Sequence, residues 1–492
     1  MKYVSTRGMS PAVTSAEAIK KGLAPDGGLY FPDEIPVFSD ADFDALKDMS
    51  YPERAAKIMH AFLSDSFSYD ELLCECREAY REESFGPHPA PLSEVGPSLR
   101  VLELWHGPTA AFKDMALQIM PRLFVRSVRK TGDGRKALIL VATSGDTGKA
   151  ALEGYKDIDG INIMVFYPEN GVSRVQKLQM ATQTGNNVFV RSVKGNFDDA
   201  QNGVKKIFSD PDTAEKLGNK GIFLSSANSI NWGRLVPQVC YYVSAYCDLV
   251  KEGDIAFGEK VNVTVPTGNF GDILAGYIAK KMGTPIGKLV CASNSNNVLT
   301  DFFETGTYDR KRQFYTTVSP SMDILISSNL ERLLFMESDS GTVRGLMKEL
   351  SENGKYTVPD ALLAKINEDF CGIYCGEDDT HAEIRHIETK YGYLIDTHTA
   401  VAMYSAEKYG GEEKMIVVST ASPYKFAPAV YYALTGEKTE NELDSIDLLE
   451  KVSRVEITSP LKGIADRKIV FDPSDSIPPS EMTADVLRYC GL

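Results

Sequence analysis

One lysine stands in an awkward place. In "HGPTAAFKDMALQIM", residues 106–120, Lys113 is followed at spacings of three, four and seven by Ala116, Leu117 and Met120. A helix beginning at Ala111 would put all four on one face, with an ammonium group at the head of an apolar stripe. Lysine is strongly hydrated and seldom buried without a partner. Burial lowers its pKa and favours the neutral amine, which is both a nucleophile and a base.

Three polar clusters could work with such an amine. "TGNFGD" (267–272) has two glycines three apart before a helix start. It reads either as an ordinary turn or as a nest of N–H groups for a phosphate, with Gly268 and Gly271 letting backbone come close. It is neither a Walker sequence nor G-x-G-x-x-G, which disfavours a nucleotide. "TSGDTG" (143–148) is a second strand-to-helix turn, where Ser144, Asp146 or Thr147 suits a helix cap. "SANSINWGR" (226–234) offers Asn228, Ser229 and Arg234 to a carboxylate or phosphate, or else satisfies its own backbone. A desolvated lysine with several anion-binding loops points to Schiff-base chemistry with pyridoxal 5'-phosphate.

The elements that must position these residues begin to alternate near residue 137. "ALILVAT", "INIMVFYP", "NVFVRSV" and "VNVTVP" are apolar runs, each followed by a helical pattern, and "MIVVST" (415–420) is one more. Such runs indicate parallel sheets covered on both faces, hence a doubly wound α/β fold. Ligands bind such sheets at the carboxyl ends of their strands, where the polar turns fall. Residues 1–95 read as an N-terminal segment that a Pro-rich stretch at 86–97 joins to the region 96–430. Within that region a smaller α/β unit is expected at about 137–210 and a mainly helical insertion at about 310–390, with 431–492 as an extension.

Composition narrows the partners. The 492 residues are 43% hydrophobic and 25% charged, with a formal net charge of −15. That charge argues against nucleic acid or an anionic membrane, though not against a small anion in a local pocket. No apolar run reaches membrane-spanning length. Cys74/Cys76 and Cys371/Cys375 lack zinc spacing, and His381 and His386 are five apart, off the spacing of a helical metal pair. No metal and a cytoplasmic setting are therefore expected.

Taken in order, "HGPTAAFKDMALQ", "TSGDTGKAALEGY", "SANSINWGRLVPQ", "PTGNFGDILAGYIAKKMG" and "VSPSMDI" resemble threonine synthases of the longer bacterial and fungal type. These belong to the fold-type II pyridoxal phosphate enzymes. "KYVSTRG" and "GLAPDGGLYFP" resemble that family's N-terminal region, so the likeness runs from the start to about 430. It implies two α/β domains plus an N-terminal segment, in a monomer or homodimer. It also implies conversion of O-phospho-L-homoserine and water into L-threonine and phosphate, the last step of threonine biosynthesis. By that resemblance Lys113 bonds the cofactor, and Gly268, Asn269, Phe270 and Gly271 cradle its phosphate. Asp146 lies beside the cofactor, and Thr420 offers a hydroxyl to its ring nitrogen. Ser144 and Thr147 face the substrate carboxylate, while Asn228, Ser229 and Arg234 hold its phosphate.

Three positions bear on this pattern. Many fold-type II enzymes carry asparagine where Asp146 stands, though the longer threonine synthases tend to have "SGDT"; Ser422 replaces an expected histidine, and Thr397 an expected proline. The last two bear on substrate fit rather than on a catalytic group. Two other readings stand beside the synthase: a related lyase that releases phosphate and forms a 2-oxo acid, and a binding protein with a vestigial cofactor pocket.

Overall fold

The computed structural model describes residues 1–143 and 145–492. Two main sheets carry the fold. The larger has the strand order Phe370–Tyr374, Ile286–Ser293, Val261–Pro266, Met415–Ser419, Leu99–Glu103, Leu92–Gly96. Every neighbouring pair in it is parallel except the last. The smaller sheet is parallel throughout, in the order Ser476–Ile477, Val188–Val193, Ile161–Pro168, Lys136–Ala142, Ile222–Ser225.

The central strands are apolar on both faces because each face meets a different core. Ile416 and Val418 pack with helices Trp232–Lys251 and Gly271–Lys281, whereas Met415 and Val417 pack with helix Thr397–Tyr409. In the smaller sheet Ala137, Ile139 and Val141 join the first core, while Leu138 and Leu140 join helices Phe197–Ser209 and Met482–Tyr489. A period of two puts alternate side chains on opposite faces, so a doubly covered strand reads as a continuous apolar run.

The expected unit at about 137–210 proves wider. The short edge strands Ile222–Ser225 and Ser476–Ile477 complete its sheet, the second supplied by the C-terminal segment. Residues 310–390 are mainly helical as expected, yet Phe370–Tyr374 leaves them to form the far edge of the larger sheet. These edge strands are only two to five residues long, and Gly372 interrupts Phe370–Tyr374, so none stands out as a long apolar run. The N-terminal segment packs against the site-bearing region through Trp232, which Tyr3, Phe31 and Phe62 surround at ring distances of 5.7, 5.5 and 5.5 Å. Among the described residues no helix is long and apolar enough to cross a membrane.

Candidate active site

Strands Val261–Pro266, Met415–Ser419 and Leu99–Glu103 are neighbours, so the segments leaving their carboxyl ends converge. Those segments contain the glycine turn at 267–271, the "TASPYKF" stretch and the approach to Lys113. The helix expected from Ala111 does not form there. Ala111 instead bridges Ala421, the Phe112 N–H donates to the Thr420 carbonyl at 2.8 Å, and the Ser422 N–H donates to Ala110 at 3.1 Å. Lys113 therefore stands at the head of a short turn, Asp114–Leu117, and a separate helix begins at Met120. Ala116, Leu117 and Met120 are buried nonetheless. Ala110 has a φ of +57°, unusual without glycine, which the bridging to Ala421 and Ser422 on both sides holds in place.

Lys113 Nζ lies 3.8 Å from Asp146 Oδ2. The other oxygen, Oδ1, is 2.8 Å from the wholly buried ammonium of Lys425 and accepts from Gln176 Nε2 at 2.8 Å. The Ser321 hydroxyl donates to Oδ2 at 3.2 Å. Burial lowers the Lys113 pKa to about 8; Asp146 resists that fall, whereas Arg234 and Lys425 add to it. Burial would raise the Asp146 carboxyl, but the two lysines hold it far below the usual range. The site thus contains an amine that is partly neutral near physiological pH beside a permanently charged carboxylate.

Helix Asp146–Tyr155 carries that carboxylate on its first residue. Neither Asp146 nor Thr147 caps it. Gly145, at φ +142°, occupies the cap position, and the Thr143 hydroxyl accepts from the N–H groups of Gly145 at 3.0 Å and Gly148 at 2.9 Å. This leaves the Asp146 side chain for the site. Ser144 lies outside the described residues, and Thr147 is half-buried on the same turn.

The glycine turn could cradle an anion. Phe270 takes the left-handed conformation at φ +64° as helix Gly271–Lys281 begins, and none of the N–H groups of Gly268, Asn269, Phe270 and Gly271 has an acceptor among the described residues. Left-handed backbone followed by a helix N-terminus aims such groups at one point. A Cβ at 268 would also lie 2.8 Å from the Ser321 carbonyl, so packing requires glycine there as well. At 271 a Cβ would meet only ordinary contacts. Just inside the helix, the Asp272 carboxyl accepts from Tyr241 at 2.5 Å and Tyr242 at 2.6 Å, and burial raises its pKa to about 6.

The third cluster follows strand Ile222–Ser225. Asn231 caps helix Trp232–Lys251, its carbonyl accepting from the Gly233 N–H at 2.9 Å. Arg234 is buried, donates to Ala227 O at 2.8 Å, and faces no carboxylate among the described residues. Burial lowers its pKa to about 10, so it stays charged at neutral pH. Asn228 is exposed and Ser229 half-buried. Thr420 is buried, and its carbonyl is bound to Phe112. Lys113, Asp146, Arg234, Thr420 and the cradle therefore gather around one place.

Several contributors escape a reading by motif. Lys425 carried the same signal as Lys113, a lysine amid Tyr424, Phe426 and Ala427. Arg332 is completely buried without a bonded carboxylate and donates to Tyr30 O at 3.1 and 2.8 Å, Ile230 O at 2.6 Å and Asn329 Oδ1 at 2.5 Å. Asn329 Nδ2 in turn donates to Asn269 O at 3.1 Å, so one guanidinium joins the N-terminal segment, the "SANSIN" loop and the cradle. His398 Nδ1–H donates to Asp396 at 2.8 Å, and its Nε2 accepts from the Ser321 N–H at 3.1 Å. The two departures are accommodated: Ser422 Oγ pairs with Thr458 Oγ1 at 2.5 Å, and the Thr397 hydroxyl donates to Val318 O at 2.7 Å.

Three family models match the chain: "Threonine synthase N terminus" over residues 2–80, "Pyridoxal-phosphate dependent enzyme" over 87–421 and "Threonine synthase, C-terminal" over 399–466. The chain belongs to the threonine synthase family. It is 41% identical over 466 residues to human threonine synthase-like 1, covering 91% of this chain and 62% of the length of that relative. It is 37% identical over 462 residues to threonine synthase of Pseudomonas aeruginosa, covering 92% and 95%. Among solved structures, the pyridoxal-phosphate-bound threonine synthase of Brucella melitensis superposes with a TM-score of 0.88 at 38% identity, over 99% of this chain and 98% of that one. The yeast enzyme gives 0.88 at 32%, over 100% and 99%. The fold is that of the fold-type II pyridoxal phosphate enzymes, and the family's cofactor suits the residues present: a partly neutral lysine faces the site, and four free N–H groups suit a phosphate.

Proposed function

We propose that the chain is a threonine synthase, converting O-phospho-L-homoserine and water into L-threonine and phosphate. The observation that carries this reading is the pair of separate anion-binding features beside Lys113. The N–H groups of Gly268, Asn269, Phe270 and Gly271 suit the cofactor phosphate, while the buried, carboxylate-free Arg234 suits a second phosphate on the substrate. With Ser144 and Thr147 left for the substrate carboxylate, Arg234 is available for a second phosphate.

Bound pyridoxal phosphate supplies the conjugation that acidifies the substrate's Cα–H and then its Cβ–H. Lys113, with its pKa lowered to about 8, takes the proton at Cα as a neutral amine and then shuttles protons at Cβ. Arg234, with Asn228 and Ser229, holds the substrate phosphate until it leaves from Cγ, its forked donors matching the developing charge. Ser144 and Thr147 orient the substrate carboxylate. Asp146 stays charged beside Lys113, and the Thr420 hydroxyl would serve the ring nitrogen of a bound cofactor without protonating it. Once the phosphate has left, a proton delivered to Cγ makes the methyl group, water adds at Cβ, and Cα regains a proton.

The deciding assay incubates the purified, cofactor-loaded protein with O-phospho-L-homoserine and follows phosphate and organic product together. Phosphate matched by L-threonine is the expected outcome. Phosphate matched by 2-oxobutanoate replaces the synthase with the lyase reading, and absence of phosphate removes the substrate assignment. A protein that stays colourless with added pyridoxal phosphate ends the enzymatic reading altogether.

A further inference from the structure

Asp146 is one carboxylate between two ammonium groups. Lys425 Nζ lies 2.8 Å from Oδ1 with no exposed surface, and Lys113 Nζ lies 3.8 Å from Oδ2. Lys425 also donates to the Thr109 carbonyl at 3.0 Å. Thr109 in turn holds Asp114, the residue after Lys113, through its N–H at 2.8 Å and its hydroxyl at 2.9 Å. Lys425 thus touches both the carboxylate facing Lys113 and the turn that presents Lys113. The reaction scheme gives it no part, and a fully buried lysine is rarely retained without one.

We infer that Lys425 is a positioning residue that engages the Asp146 charge, so that Lys113 can lose its proton near neutral pH. This rests on the pyridoxal phosphate reading of Lys113. The charges facing Lys113 come from four elements. Asp146, on helix Asp146–Tyr155, and Asp272, on helix Gly271–Lys281, favour its ammonium form. Arg234, on helix Trp232–Lys251, and Lys425, in the turn after strand Met415–Ser419, oppose it, as does burial. Removing Lys425 deletes one opposing cation and also frees the carboxylate to serve Lys113 alone. Both changes act in the same direction. The pair also answers the Asp146 departure: a carboxylate neutralised by a buried lysine presents a nearly uncharged group where related enzymes carry an asparagine amide.

The test reads the Lys113 proton directly. The full-length, cofactor-free protein is labelled with trace acetic anhydride across a pH series, and acetylation of Lys113 is followed by peptide mass spectrometry. In Lys425→Met the midpoint should rise by about one pH unit or more, a tenfold loss of neutral amine at neutral pH. Lys425→Arg, which keeps the charge, should return the midpoint toward the wild-type value. The rate at which cofactor-free protein takes up pyridoxal phosphate should shift in parallel. An unmoved midpoint in folded Lys425→Met overturns the inference. Where that variant does not fold, Asp146→Asn/Lys425→Met replaces it, since it leaves neither member of the buried pair charged without its partner. Its midpoint should lie at or below wild type, and one above wild type overturns the inference. Failure of the substrate assignment would appear only in the product assay and leave these midpoints untouched.

Discussion

Replacing Gly154 by alanine puts a methyl carbon where the Leu117 carbonyl already sits. Helix Asp146–Tyr155 crosses the Lys113 turn at Gly154, where a Cβ would fall 1.8 Å from Leu117 O and 2.8 Å from Leu117 C. Ordinary contact begins at 3.4 Å, so the two elements must part by about 1.6 Å. Both are backbone, and no side-chain rotation relieves the clash. Overpacking of this kind costs about 1–3 kcal/mol. The functional effect should be larger in proportion, because the helix carries Asp146 and the turn carries Lys113, 3.8 Å apart. Misplacing reacting groups by about 1 Å can cost on the order of a hundredfold in rate. Denaturant unfolding of the cofactor-free protein and steady-state kcat with O-phospho-L-homoserine measure the two effects separately. Gly345→Ala is the control: it lies exposed in helix Ser340–Asn353 with open space around it, so alanine there should stabilise by about 0.5–1 kcal/mol. Gly154→Ala with stability within about 0.5 kcal/mol of wild type and unchanged kcat would refute the claim that this crossing sets the lysine–carboxylate geometry.

Lys113→Ala should abolish threonine formation and the cofactor's lysine-bound absorbance while leaving far-ultraviolet circular dichroism unchanged; wild-type turnover in it ends the assignment of Lys113. In the cofactor-free protein, Lys113→Met should be the more stable form at neutral pH, by up to about 3 kcal/mol if the fall from 10.5 to about 8 is taken in full. The sign follows from proton counting: between about 8 and 10.5 the unfolded lysine binds the proton that the folded one has lost, so wild-type stability rises there and the gap to Lys113→Met should close. A gap constant with pH in denaturant titrations would count against a depressed Lys113 pKa. Arg332→Met should destabilise by at least about 3 kcal/mol, because it strips donors from buried acceptors at Tyr30, Ile230 and Asn329. It should also weaken retention of pyridoxal phosphate, read by dialysis and absorbance, since Asn329 holds the cradle at Asn269.

How much of this was legible in the chain depends on the range of each interaction. The central strands announced themselves because burial on both faces makes 161–168, 261–266 and 415–419 apolar almost throughout, and the polar turns after them fell where parallel strands end. Lys113, Arg234 and the 268–271 turn stood out by residue type and neighbours, and the family resemblance gave them their expected roles. The helix expected from Ala111 failed because its backbone is engaged by Ala421 and Thr420, far along the chain. Strand Phe370–Tyr374 was hidden among helices because it is five residues long and broken by Gly372, too short to be told from a helix end by its pattern.

By itself the sequence determined the parallel α/β architecture and marked the lysine and the polar turns at the strand ends, since period, turn chemistry and charge are local properties. The tertiary structure alone decided which charges meet. Ser321 reaches Asp146 across 175 residues and Arg332 reaches Tyr30 across 302, and no spacing rule links positions so distant. Only folding buries Lys425 against Asp146 beside Lys113, and it is in that buried setting that Lys113 gives up its proton more readily than a lysine in water.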